Sequence, residues 1–185
     1  MKRSKKLTLA VMGLAPIALT ACSEKPVDML VYKTLSECSS DVYYNEKECK
    51  TEFDKAAKTH RSAAPKYKNL SACESDFGRN SCNSMGSLYL PMIAAYMLAV
   101  PNINRSGGYY GGGYGQPLYR TRSGGGGYRT GDNYEIGKST KSGKVSTVPS
   151  KTKKPSIKTR TVSRGGFGSQ AAARGSWGGG RTFGG

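Results

Sequence analysis

"SLYLPMIAAYMLAV", Ser87–Val100, is the one long apolar stretch outside the N-terminus, and its conformation decides the architecture. Its apolar part runs 13 residues, Leu88–Val100, with Pro91 inside it. A helix that spans a bilayer needs about 20 residues, so this stretch is too short to cross one. The simplest reading is a helix that packs on the small domain before it. The second reading is a segment that lies in the membrane interface or docks a partner, for which Tyr89 and Tyr96 are suited. Pro101 and the Gly-rich sequence beyond end it.

The other apolar run opens the chain. Lys2, Arg3, Lys5 and Lys6 form a basic patch, and Leu7–Leu19 is a 13-residue, mostly apolar segment. That is the shape of an export signal rather than of a spanning helix. Leu19-Thr20-Ala21-Cys22 then matches the lipobox of bacterial lipoproteins, [LVI]-[AST]-[GA]-C. The expected chemistry is a diacylglyceryl thioether on Cys22, cleavage before it and acylation of the freed amine. Several acyl chains hold where one would not, since each buried CH₂ adds about 0.8 kcal/mol. The alternative is an ordinary secretory signal with Cys22 in a disulfide. Ser23 follows the cysteine, not Asp, so in a two-membrane bacterium the sorting rule favours the outer membrane over the inner. The expected location is exported and membrane-anchored on the periplasmic side.

Four cysteines remain: Cys38, Cys49, Cys73 and Cys82. In an oxidising compartment an even count in a small domain reads as disulfides, and four cysteines allow three connectivities. "LSECSSD" (Leu35–Asp41) is echoed by "LSACESD" (Leu70–Asp76), and each copy is followed by a second cysteine. The repeat favours two local bridges, Cys38–Cys49 and Cys73–Cys82. Bridging between the units stays open. Zinc is disfavoured, since there is no CxxC pair and His60 is the only histidine.

Between the cysteine pairs the pattern predicts a helix. Asn45 and Glu48 fit a capping box, and Cys49, Phe53, Ala56, Ala57 and His60 recur at helical spacing. Pro65 disfavours the α conformation at Ala64, so the helix should stop near Ala63. Ser71 and Glu74 fit a second capping box, for a short helix ended by Gly78. The disulfides would support a core too small to be stable alone.

Beyond Ser106 the composition changes. Of 25 glycines in the chain, 22 lie there, with 14 bases against 2 acids. Residues 22–105 carry 11 bases and 10 acids, so the net charge of +17 resides mainly in the tail. Gly-rich, aliphatic-poor sequence is expected to stay disordered. Lys151, Lys153, Lys154, Lys158, Arg160 and Arg164 are the candidate anion-binding residues. Interleaved Tyr and Arg with "SRGGFG" would suit RNA in a cytosolic protein. Behind an export signal, no nucleic acid is expected. The partners expected instead are the membrane, through the lipid on Cys22, and anionic envelope polymers or lipids. A merely solvated, self-repelling tail is the alternative.

No catalytic constellation is visible, and no cofactor or metal is expected. His60 falls on a predicted helix beside lysines, and the glycine runs lack the strand–turn–helix context of a phosphate-binding fingerprint. Asp41 and Asp76 recur in the repeat and read as helix-start or turn carboxylates.

These islands resemble a family. The lipoprotein-type leader, the cysteines around "APKY" (Ala64–Tyr67), "LPMIAAYML" (Leu90–Leu98), "TVP" (Thr147–Pro149) and "TVSRGGFG" (Thr161–Gly168) are similar to the DUF1190 family, also called UPF0441, of uncharacterised enterobacterial proteins. The resemblance implies no activity. It implies a pathway link to an ATP-grasp enzyme resembling glutathionylspermidine synthetase, and it gives no residue a role.

The expected fold class is therefore a small, mostly α, disulfide-stapled module with a long disordered basic tail. Its parts are a signal peptide (1–21), a lipid-anchored linker (22–34), a cysteine-paired helical module (35–86), a short apolar segment (87–101) and the tail (102–185). The leading function is a structural or interaction protein of the envelope. A binding module for anionic polymers or lipids is second, and an enzyme is a distant third.

Overall fold

The computed structural model describes residues 24–101, 115–122, 127–137, 141–155, 161–162 and 167. In chain order the first elements are β1 (Val27–Tyr32), α1 (Leu35–Ser39), α2 (Glu46–Ala63), β2 (Lys66–Tyr67) and α3 (Leu70–Phe77). Then come β3 (Cys82–Met85), β4 (Leu88–Pro91), β5 (Ala95–Ala99), β6 (Gln116–Arg120) and β7 (Tyr128–Arg129). The last are β8 (Glu135–Gly137), β9 (Gly143–Thr147), α4 (Pro149–Thr152) and β10 (Thr161–Val162).

The fold is mostly β, which corrects the mostly α expectation. Six antiparallel strands form one sheet in the order β8-β7-β6-β5-β1-β9. Its outer strands β8 and β9 lie against each other, so the sheet is nearly closed. A second sheet has the order β10-β2-β4-β3, with β10 parallel to β2.

Ser87–Val100 is where the expectation fails. It is two strands in two different sheets, not one helix. Pro91 lacks an N–H, and its ring would clash one turn back in a helix, so the chain places it at the end of β4. The lack of a visible period has a separate cause in β5, which is buried on both faces. Ala95 and Met97 join Met29, Val31, Leu118, Tyr128 and Ile136 on one side. Leu98 joins Leu30, Tyr32, Cys38 and Cys49 on the other. Alternate residues feed alternate cores, so no polar face remains to mark a strand. A short apolar run of this kind is indistinguishable from a buried helix by periodicity. Tyr96 is half-buried and stacked on Phe53 of α2 with ring centroids 3.8 Å apart.

The stretch 22–34, expected as a linker, contains β1, which pairs with β5 on one side and β9 on the other. The tail expected to be disordered supplies β6 to β10, which complete both sheets. Its strands are two to five residues long, and averaged composition hides them among the glycines. One glycine is there for packing. A Cβ on Gly115 would sit 2.1 Å from the Glu52 carbonyl oxygen, so only glycine lets β6 start against α2.

The helices follow local rules. Asn45 caps α2, and its capping box with Glu48 is complete in both directions. The helix ends at Ala63, ahead of extended Ala64 and Pro65. α3 is capped by Asn69, whose Oδ1 accepts from the Ala72 N–H, two residues earlier than the expected Ser71 cap. Ser71 donates its hydroxyl to Asn69, and Glu74 accepts from the Asn80 N–H. Gly78 ends the helix at φ +105°, a conformation that favours glycine.

Candidate functional site

Of the sequence-predicted site residues, Cys22, Lys158, Arg160 and Arg164 lie outside the described residues. Cys38 is bonded to Cys49 and Cys73 to Cys82, one bridge within each copy of the repeat. The repeat is longer than its cysteine core. Tyr32-Lys33 and Tyr67-Lys68 precede the two copies, giving ten-residue units that run Tyr32–Asp41 and Tyr67–Asp76. In each unit a strand ends on the tyrosine, a polar cap (Thr34 or Asn69) starts a helix, and the helix carries the cysteine. In each, the tyrosine hydroxyl donates to the aspartate, at 2.8 Å in the first and 2.7 Å in the second.

The second unit builds the most polar part of the interior. Asp76 is 1 % exposed and accepts from the Tyr67 hydroxyl and from the Phe167 N–H at 3.2 Å. Its other carboxylate oxygen has no partner among the described residues. Phe167, from the "SRGGFG" stretch, packs on Phe77 and edge-on to Tyr119. The Tyr119 hydroxyl lies 3.0 Å from His60 Nδ1. Burial raises the pKa of Tyr67 and Tyr119, with the Asp76 charge adding to the effect at Tyr67. Burial first, and then Arg61, lowers His60 to about 4, so its imidazole is neutral at neutral pH. The cluster thus consists of protonated phenols, a neutral imidazole and one buried carboxylate. Its bonds tie α2, α3, β2, β6 and the Phe167 segment together. Among the described residues no group of three or more His, Cys, Asp or Glu side chains could hold a metal ion.

The second candidate site is a corner of the larger sheet. β1 and β9 pair with Val27 opposite Thr147, which brings α4 beside the start of the described chain. The Ser150 N–H donates to Glu24 Oε2 at 2.9 Å. Hydrogen bonds from Ser150, with a smaller contribution from the charge of Lys153, hold the Glu24 carboxyl below its ordinary pKa. From the other side, buried Gln116 donates through Nε2 to the carbonyls of Thr152 and Lys153, the latter at 2.9 Å. The backbone carrying Lys151, Lys153 and Lys154 is therefore fixed at both ends. Lys153 and Lys154 are exposed and Lys151 is half-buried.

Several tertiary contacts at these sites have no signature in sequence. Gln116 and Glu52 are single polar residues, and Glu52 is buried where it accepts from the Gly115 N–H at 2.7 Å. Phe167 looks like one more residue of a low-complexity tail. Extending the repeat back to its tyrosines would have flagged the Tyr–Asp pairs.

Residues 26–178 match the DUF1190 family, described as a protein of unknown function, and the chain belongs to that family. It is similar to a UPF0441 protein of Erwinia tasmaniensis, 28% identical over 93% of this chain and 91% of that one. A UPF0441 protein of Serratia proteamaculans is 28% identical over 85% of this chain and 78% of its own. The UPF0441 protein YE3666 of Yersinia enterocolitica is 25% identical over 94% and 85%. No solved structure matches.

Proposed function

We propose that this DUF1190 protein is an exported envelope lipoprotein, held by lipid on Cys22, whose folded part serves as a structural or interaction protein. The observation that carries the reading is Leu19-Thr20-Ala21-Cys22 behind a basic patch and a 13-residue apolar segment. Two disulfides support it, because such bonds persist in oxidising compartments. Among the described residues no helix is long and apolar enough to cross a membrane. Ser23 after the cysteine favours the outer membrane. The chain is read as a non-enzyme, since the buried polar cluster binds its own elements together.

Intact mass of the protein extracted from membranes, with and without reduction, tests this. The expected species starts at Cys22, carries diacylglyceryl and acyl chains, and gains the hydrogens of two reduced disulfides. A mature chain without lipid mass overturns the reading.

The second reading is a binding module whose basic tail recognises anionic envelope polymers or lipids. The corner at Glu24 favours it, since that corner holds three of the candidate anion-binding lysines, Lys151, Lys153 and Lys154, next to the proposed anchor.

A further inference from the structure

Glu24 is two residues from Cys22, a distance that extended chain covers in about 7 Å at most. At the same corner β9 leaves the sheet, α4 begins, and Ser150 is bonded to Glu24. Lys25 is exposed there as well. Four lysines, Lys25, Lys151, Lys153 and Lys154, are thus gathered where the chain would meet its lipid. Of the acids at this corner, Glu24 accepts at Oε2 from the Ser150 N–H and Asp28 faces Lys144 at 3.7 Å. The next described strand, β10, belongs to the other sheet.

We propose that Lys25, Lys151, Lys153 and Lys154 form a basic face that binds the phosphates of anionic phospholipid headgroups in the leaflet that holds the protein's own lipid. The proposal rests on the lipid-anchor reading, since Cys22 sets which surface the corner meets. Its physical basis is range. Charge near a membrane acts over a screening length of about 8 Å at physiological ionic strength, and Glu24, to which Ser150 is bonded, is tethered within about 7 Å of the anchor. Basic residues immediately next to a membrane anchor are attracted to anionic headgroups, and several together add to the hold of the lipid. The backbone bonds from Gln116 and Ser150 keep the lysines at that corner without requiring the chain to become ordered on binding. The face thus joins the lipid as a second attachment and sets which side of the folded part turns toward the membrane.

The test uses the full chain from residue 22 onward with Cys22→Ser, which carries no lipid. Its partition into phosphatidylcholine vesicles is compared with partition into vesicles containing phosphatidylglycerol, across a salt series. Two triple variants of equal charge change are run beside it: Lys151→Gln/Lys153→Gln/Lys154→Gln at the corner, and Lys47→Gln/Lys50→Gln/Lys58→Gln on α2. Binding is expected only to the anionic vesicles and is lost near 1 M salt, where the screening length falls to about 3 Å. The corner triple should weaken it on the order of 100-fold and the α2 triple far less. Equal losses in the two triples would overturn the proposal, as would equal binding to neutral vesicles. Binding to lipopolysaccharide but not to phosphatidylglycerol would also overturn it. Because these chains carry no lipid, failure here is distinguishable from failure of the anchor, which intact mass reports separately.

Discussion

The two copies of the repeat make the same local structure and do different work. In Tyr32–Asp41 the tyrosine and cysteine are buried, and the distant contact is made at the surface, where Glu37 accepts from the Ser142 hydroxyl at 2.7 Å. Asp41 is half-exposed, and its second oxygen accepts from the adjacent Val42 N–H. Tyr67–Asp76 has the same strand end, cap, cysteine and Tyr–Asp bond, yet its aspartate is buried and also holds Phe167, 91 residues away. Ten similar residues thus make an exposed tie, Glu37 to Ser142, in one place and a buried tie, Asp76 to Phe167, in the other. What differs is the environment, since the second unit is covered by β6 and by Phe167.

The largest expected difference between the units comes from removing the two carboxylates. Asp76→Ala strands the buried Tyr67 hydroxyl and Phe167 N–H, and should cost about 4 kcal/mol in denaturant unfolding. Asp41→Ala should cost about 1 kcal/mol. Equal costs would mean that the second unit is no more central than the first. The disulfides should not separate the units. They close loops of similar length, with separations of 11 and 9 residues, and replacing either pair by alanines should cost about 3 kcal/mol.

Between pH 7 and 5 a pH scan reads the second unit's cluster through His60. His60 has a pKa near 4 in the fold, against 6.5 when free. As pH falls the unfolded chain takes the proton first, so stability declines below about pH 6.5 and this contribution levels off near pH 4. Between pH 7 and 5 the single histidine should dominate the slope, and His60→Gln should flatten it. The smallest effects are at the caps. Thr34→Ala and Asn69→Ala should each cost about 1 kcal/mol, because each loses one side-chain bond to a helix N–H. Caps that differ by more than this would show that the local rule depends on its surroundings.

Much of the cysteine region was legible in the sequence. α2 and its capping box, its stop before Pro65 and the Gly78 stop of α3 all follow from residues within one or two turns. The repeat pointed to the two local bridges that the structure contains, while leaving the cross-unit pairing open. The strands were not legible, for two different reasons. β5 is apolar on both faces, so its alternation is invisible. β6 to β10 are short pieces in a Gly-rich stretch, whose average composition resembles that of a disordered chain. At the candidate sites the lysines were visible as a charge run, but their position beside Glu24 depends on the pairing of β1 with β9.

By itself the sequence determined what local chemistry controls: the helix caps and stops, the repeated cysteine unit and the uneven charge. Only the tertiary structure decided that Ser87–Val100 is two strands, that the Gly-rich tail completes both sheets, and that Lys151–Lys154 lies beside the residues next to Cys22. The reason is range. A cap or a stop is settled by neighbours a few residues away, whereas a strand is defined by partners elsewhere in the chain, such as Met29 and Ala99 paired 70 residues apart.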